Sequence, residues 1–124
     1  NSDPVLEAAL AFSDRDFIPN PMRFITDMFV RGEIQELDDK VPTMLEDSRY
    51  DFFDFETEIT KAGHHLVGSG RPPAIQAGIG VFSFVTRLFP NSSIAWKNLA
   101  DAYLKLGDKE KAKKLMDMAN SLKE

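Results

Sequence analysis

The chain has 124 residues, about one domain's length and enough to bury a core without metal or covalent staples. Its 43% hydrophobic and 28% charged residues are ordinary for a globular protein, and the lack of cysteine excludes a disulfide scaffold, a thiolate zinc site and thiol catalysis. The net charge of −5 hides an uneven spread: residues 1–58 carry five bases against fifteen acids, a net −10, and residues 59–124 carry ten bases against five acids, a net +5, so the two halves can attract each other or steer a charged partner.

Helical periodicity runs through the chain, and no stretch shows sustained strand alternation between turn signals, so the class is all-α. Residues 4–12 read as a short helix, with Asp3 as N-cap and Pro4 at the first helical position. Pro19 and Pro21 interrupt the chain. From Pro21, the positions Met22, Ile25 and Phe29 beside Phe24 and Met28 make one apolar stripe, closed by Gly32. Ile34, Leu37 and Val41 start a third helix, which Pro42, lacking an amide donor, is expected to restart ahead of Met44 and Leu45. Tyr50, Phe52, Phe53 and Phe55 cluster in an acidic run, the pattern of a connection that buries rings while its carboxylates face water.

A helix over 55–67 follows, capped by Asp54, with the stripe Phe55, Ile59, Ala62, Gly63 and Leu66. After Gly68, Ser69 and Gly70, the pair Pro72 and Pro73 opens a helix to Phe89 that is apolar around much of its circumference and so is enclosed by neighbours. Gly78 and Gly80 each cost that helix about 1 kcal/mol against alanine, which points to another helix packed close to its backbone. Ser92 or Ser93 caps the next helix, Gly107 ends it, and Asp108 caps the last, which buries Ala112, Leu115, Met116, Ala119 and Leu122.

The last two helices carry an internal pattern: Trp96, Leu99, Ala100 and Tyr103, a turn at Gly107, then Ala112, Met116 and Ala119. This resembles a tetratricopeptide repeat, in which small residues let two antiparallel helices approach while bulky ones fill the space around the contact. The preceding pair matches more weakly through Ile59, Ala62, Gly63, Leu66, Gly78, Phe82 and Pro90, and Phe82 to Met116 spans 34 residues, the family's period. Gly63 to Gly78 spans three residues more than Ala100 to Ala112, a surplus that predicts a longer turn over 68–73. The implied architecture is an α/α superhelix of two antiparallel pairs, 55–90 and 91–124, with N-terminal helices in 1–54 packed on them as one compact domain.

Within 55–124, the stretch from Ile59 to Leu66, Gly80-Val81-Phe82, Phe89-Pro90-Asn91-Ser92 and Leu99-Ala100-Asp101-Ala102-Tyr103 also resemble the helical tail of some bacterial serine hydrolases of the putative-esterase and β-lactamase-like groups. Thr60, His64, Gly78, Lys97, Asn98 and Asp101 depart from that tail's pattern. Such tails hold no catalytic residues, so the resemblance implies an accessory segment whose nucleophile lies elsewhere in a parent chain. The start at Asn1 fits that expectation of an excised piece.

Chemical motifs are sparse. His64 and His65 diverge by about 100° on a helix and do not chelate one ion as an i, i+4 pair does, even with Glu58 or Asp54 added. The Gly68-Ser69-Gly70-Arg71 stretch lacks the third glycine of a dinucleotide fingerprint and the flanking glycines of a nucleophile elbow. The acids of 38–54 lack the spacing of a calcium loop, and the lysines of 109–114 have no interleaved arginine or aromatic for nucleic acid. No nucleophile, base and orienting group form a set, so no catalytic residue, metal or cofactor is expected. No apolar run reaches the ~20 residues of a membrane span and no leader opens the chain, so the segment is expected to be soluble; its compartment stays open, the hydrolase-tail resemblance allowing bacterial periplasm or cytoplasm alike.

In a tetratricopeptide pair the outward face of the first helices forms a concave wall, and the resemblance places Ile94, Lys97, Asp101, Leu104 and Lys105 there, with Lys61, His65 and Glu58 on the neighbouring helix. Asp101 stands where members that clamp a peptide carboxylate carry a cation or an amide, which argues against that use. The expected function is a non-enzymatic domain contacting a protein or peptide, or its own parent chain, with the oligomeric state open. The alternative is a regulatory or substrate-gating tail of a serine hydrolase, with the acids of 33–58 on its active-site rim.

Overall fold

A computed structural model describes residues 17–122 and is helical throughout, with no strand among the described residues. The elements are α1 (Pro21–Arg31), α2 (Ile34–Leu45), a 3-10 turn (Ser48–Tyr50), α3 (Phe55–Gly68), α4 (Pro72–Leu88), α5 (Ser93–Leu106) and α6 (Lys109–Ser121). The helix expected over 4–12 lies outside the described residues. The chain forms two compact units, 1–34 and 35–124, so the boundary drawn from the sequence after residue 54 falls inside the second.

In the first unit, Asn20 caps α1 by accepting the Arg23 amide at 3.1 Å, and Pro21 sits where the missing donor costs nothing. Gly32, at φ 75°, turns the chain out of the helix, and the Glu33 amide closes on the Met28 carbonyl at 2.9 Å.

The second unit opens with α2, which corrects one expectation: Pro42 lies inside the helix and does not restart it. The carbonyl that loses its partner is that of Asp38, four residues back. Pro42 itself is exposed and stands in the last turn, so water can replace the lost bond while Leu37, Val41 and Met44 keep one buried stripe. Arg87 of α4 ties α2 down with a 3.2 Å ion pair to Asp38.

Helices α3 to α6 pack in chain order, each against the next, and α3 also touches α5. One buried cluster runs through all four: Val67, Ile75, Ile79, Phe82, Leu99, Ala100, Ala102 and Leu115, with Trp96, Tyr103, Leu106 and Met116 against it. The two helix pairs therefore share a core.

Close approach of α3 and α4 rests on two glycines. A Cβ on Gly63 would stand 2.5 Å from the Phe82 ring, and one on Gly78 would collide with the Val67 side chain and lie 3.1 Å from the Gly63 carbonyl. As the number rises from 63 to 67 on α3, its partner falls from 82 to 78 on α4, so the two helices run antiparallel. Gly80 differs from what the sequence led us to expect: nothing lies within 4 Å of its Cβ position, and it faces solvent. The turn predicted to be longer over 68–73 is longer, but by one residue only. The connection of α3 to α4 is three residues against two for α5 to α6, and the rest of the surplus is extra helix at the start of α4, where Pro72 and Pro73 need no amide partner.

The caps form as local chemistry dictates. Asp54 accepts the Thr57 amide at 3.1 Å and its hydroxyl at 2.8 Å, and Asp108 accepts the Lys111 amide at 3.1 Å. Ser92, not Ser93, caps α5: its Oγ accepts the Ala95 amide at 3.2 Å and donates to Glu56 Oε2 at 2.6 Å, which fastens the first turn of α5 to the first turn of α3. Gly107 ends α5 at φ 100°.

Two stability predictions follow from these contacts. Gly78→Ala is expected to destabilise by about 1–3 kcal/mol through overpacking, and Gly80→Ala to stabilise by about 0.5–1 kcal/mol, so denaturant midpoints should move in opposite directions. The Thr57 amide, then the Thr57 hydroxyl, hold the Asp54 carboxyl below its ordinary 3.8. Its folded value is thus the lower one, so the cap's contribution is complete above pH 3.8 and is lost as pH falls through the folded value. An acid titration of stability for Asp54→Asn should lack that part of the decline.

Candidate functional site

Three helices enclose a groove of about 200 Å³. Its floor is apolar, made by Val67 of α3, Phe82 of α4 and Ala102 of α5. Its rim is His64 from α3 and Asn98, Asp101, Leu104 and Lys105 from α5. Asn98, Asp101, Ala102 and Lys105 recur at i, i+3, i+4 and i+7, with Leu104 beside them, so one face of α5 supplies most of the wall.

Phe82 is the pivot. It is buried, it occupies the space left by the missing side chain of Gly63, and its ring meets the His64 imidazole edge to face at 5.1 Å and 67°. The next residue on α3 is thereby set at the mouth of the groove. His64, Asn98, Asp101 and Lys105 make no side-chain hydrogen bond or ion pair with another described residue, although Asp101 and Lys105 stand one turn apart. The rim thus presents an acceptor, a cation, an amide and an imidazole that no other described residue engages by hydrogen bond or ion pair. Leu104 is 52% exposed beside them.

Of the wall residues expected from sequence, Asp101, Leu104 and Lys105 line the groove. Lys61 is exposed and paired with Glu58 at 3.3 Å, His65 and Lys97 are exposed, and Ile94 is 64% exposed, all four outside the groove lining. His64 and Asn98 take their place. Asn98 belongs to the legible α5 stripe with Asp101, Ala102 and Lys105. For His64 the signal is its position directly after Gly63: a glycine turned toward α4 rotates its successor by about 100° toward the side where α5 lies.

Among the described residues, no group of three or more His, Cys, Asp or Glu side chains is placed to hold a metal ion, and no helix is long and apolar enough to cross a membrane. No family model matches the chain, and no curated protein or solved structure matches it either.

Proposed function

We propose that this chain is a non-catalytic helical repeat domain that mediates protein–protein or interdomain contacts, and that the groove between α3 and α5 receives an extended segment of the partner. The observation that carries this reading is the groove's composition: the half-exposed Leu104 and four polar side chains that no other part of the described chain engages by hydrogen bond or ion pair, set around a buried apolar base. Burial of the Leu104 side chain supplies affinity, and convergent polar groups of both signs fix the register of what binds. The tetratricopeptide resemblance agrees with the order in which α3 to α6 pack and with the small residues at Gly63, Gly78, Ala100 and Ala112, all buried. The hydrolase-tail resemblance names one source for such a segment, a domain of the same parent polypeptide.

Peptides selected from a random display library on this chain should shift the amide resonances of His64, Asn98, Ala102 and Lys105. The double reversal Asp101→Lys with Lys105→Glu should weaken them about tenfold, a loss of about 1.4 kcal/mol, with unchanged circular dichroism. Selected peptides that map away from the groove would refute the reading.

A further inference from the structure

A second cavity, about 270 Å³, opens where the connection after α2 meets the end of α4. Tyr50, Phe53, Phe55 and Phe89 supply its rings, and Asp51, Asp54 and Glu56 its carboxylates, with no basic side chain in its lining. Phe53 and Phe55 meet edge to face with centroids 4.7 Å apart and planes at 79°, and Tyr50 meets Phe55 at 6.1 Å and 65°. Tyr50 and Phe55 are buried and form the back of the cavity, so an occupant meets the half-buried rings of Phe53 and Phe89.

The three carboxylates are not equivalent. Asp54 is spent on the first-turn amide and hydroxyl of Thr57, where it offsets the positive end of α3. Glu56 binds Ser92 through Oε2, leaving Oε1. Asp51 is exposed, and its side chain has no hydrogen bond or ion pair with any described residue. The C-terminal end of α4, whose cap Phe89 lines the cavity, adds partial negative charge. Crossed rings beside uncompensated carboxylates favour a cation that is weakly hydrated and able to hydrogen-bond in a plane, the description of a guanidinium. The volume lies below the roughly 300–1,000 Å³ of drug-sized ligand sites, which suits one side chain.

We propose that this cavity is a receptor for an arginine side chain presented by a polypeptide, its guanidinium against the rings and hydrogen-bonded to Asp51 and Glu56. Free arginine fits less well, because its α-carboxylate meets the same acidic rim.

The test is a titration of the 124-residue chain, followed by the resonances of Tyr50, Phe53, Phe55 and Phe89, with N-acetyl-arginine N-methylamide, its citrulline counterpart and free arginine. Citrulline keeps the shape and loses the charge. The arginine amide should bind saturably with a Kd on the order of 1 mM, weakening with salt, and citrulline about tenfold more weakly. Free arginine should fall between them. Asp51→Asn should cost about threefold in affinity while the circular dichroism stays unchanged, and Phe53→Leu should lower it independently. Equal binding of citrulline, shifts confined to other residues, or an Asp51→Asn variant that binds as tightly as the parent would each overturn the proposal. The α3–α5 groove shares no lining residue with this cavity, so either site can fail alone.

Discussion

The close contact of α3 with α4 at Gly63 and Gly78 governs the geometry of the second unit. Two helices bearing ordinary side chains keep their axes about 8–10 Å apart, and removing a Cβ from each facing position lets backbone and ring fill the space directly. Here the ring of Phe82 takes the space a Cβ of Gly63 would need, and the Gly63 carbonyl stands 3.1 Å from where a Cβ of Gly78 would be. Phe82 belongs to the cluster that reaches Leu99, Ala100 and Ala102 on α5 and Leu115 on α6, so the glycine contact sets the depth at which the second helix pair seats on the first. The groove inherits this: its floor is that same ring, and its His64 wall follows the glycine that admits it.

Where local chemistry decides, the fold was legible. Asp54, Ser92, Gly107 and Asp108 mark helix ends because each satisfies or releases backbone groups within three residues of itself, and none needs tertiary context. Where a residue's meaning depends on which way it faces, sequence left it ambiguous. Gly78 and Gly80 carry the same propensity cost, yet one lies under Val67 and the other in solvent. His64 and His65 are neighbours, and only the rotation set by Gly63 against Phe82 brings the first to the groove. Pro42 was misleading for a related reason: its missing donor matters only when the orphaned carbonyl is denied water, and here the proline faces out. The 67% exposure of Phe52, an aromatic expected to be buried with its neighbours, has no signal in the sequence at all.

Charge is organised differently from what its division between the halves implies. The ion pairs Arg49–Asp47, Lys61–Glu58 and Lys113–Asp117 are local and exposed, worth little in stability. Arg87–Asp38 joins distant segments, and the Arg87 guanidinium also lies 5.7 Å from the Phe84 ring centre. Most lysines of α6 point to solvent, with Lys111 5.9 Å from the Tyr103 ring. The excess acid at 45–58 is thus left largely uncompensated by the basic helices of the same unit, which leaves a negative field for a partner to answer.

On the two proposals, the concavities would take different occupants because their electrostatics differ in kind. Asp101 and Lys105 give the α3–α5 groove both signs within one helical turn, so on the proposed reading a formal charge on an incoming chain would gain at one end what it loses at the other, leaving apolar contact at Leu104 to supply the net affinity. The cavity at Tyr50 and Phe89 has one sign only and walls that cannot neutralise it, so charge decides what enters. A polypeptide carrying an apolar segment and, at a distance set by the span between the sites, one arginine would engage both. Linking the two would raise its apparent affinity well above either site alone, since the second contact forms at the effective concentration that the connecting residues impose. A chain able to reach only one site would gain nothing from the other. Discrimination among partners would then lie in spacing as much as in sequence.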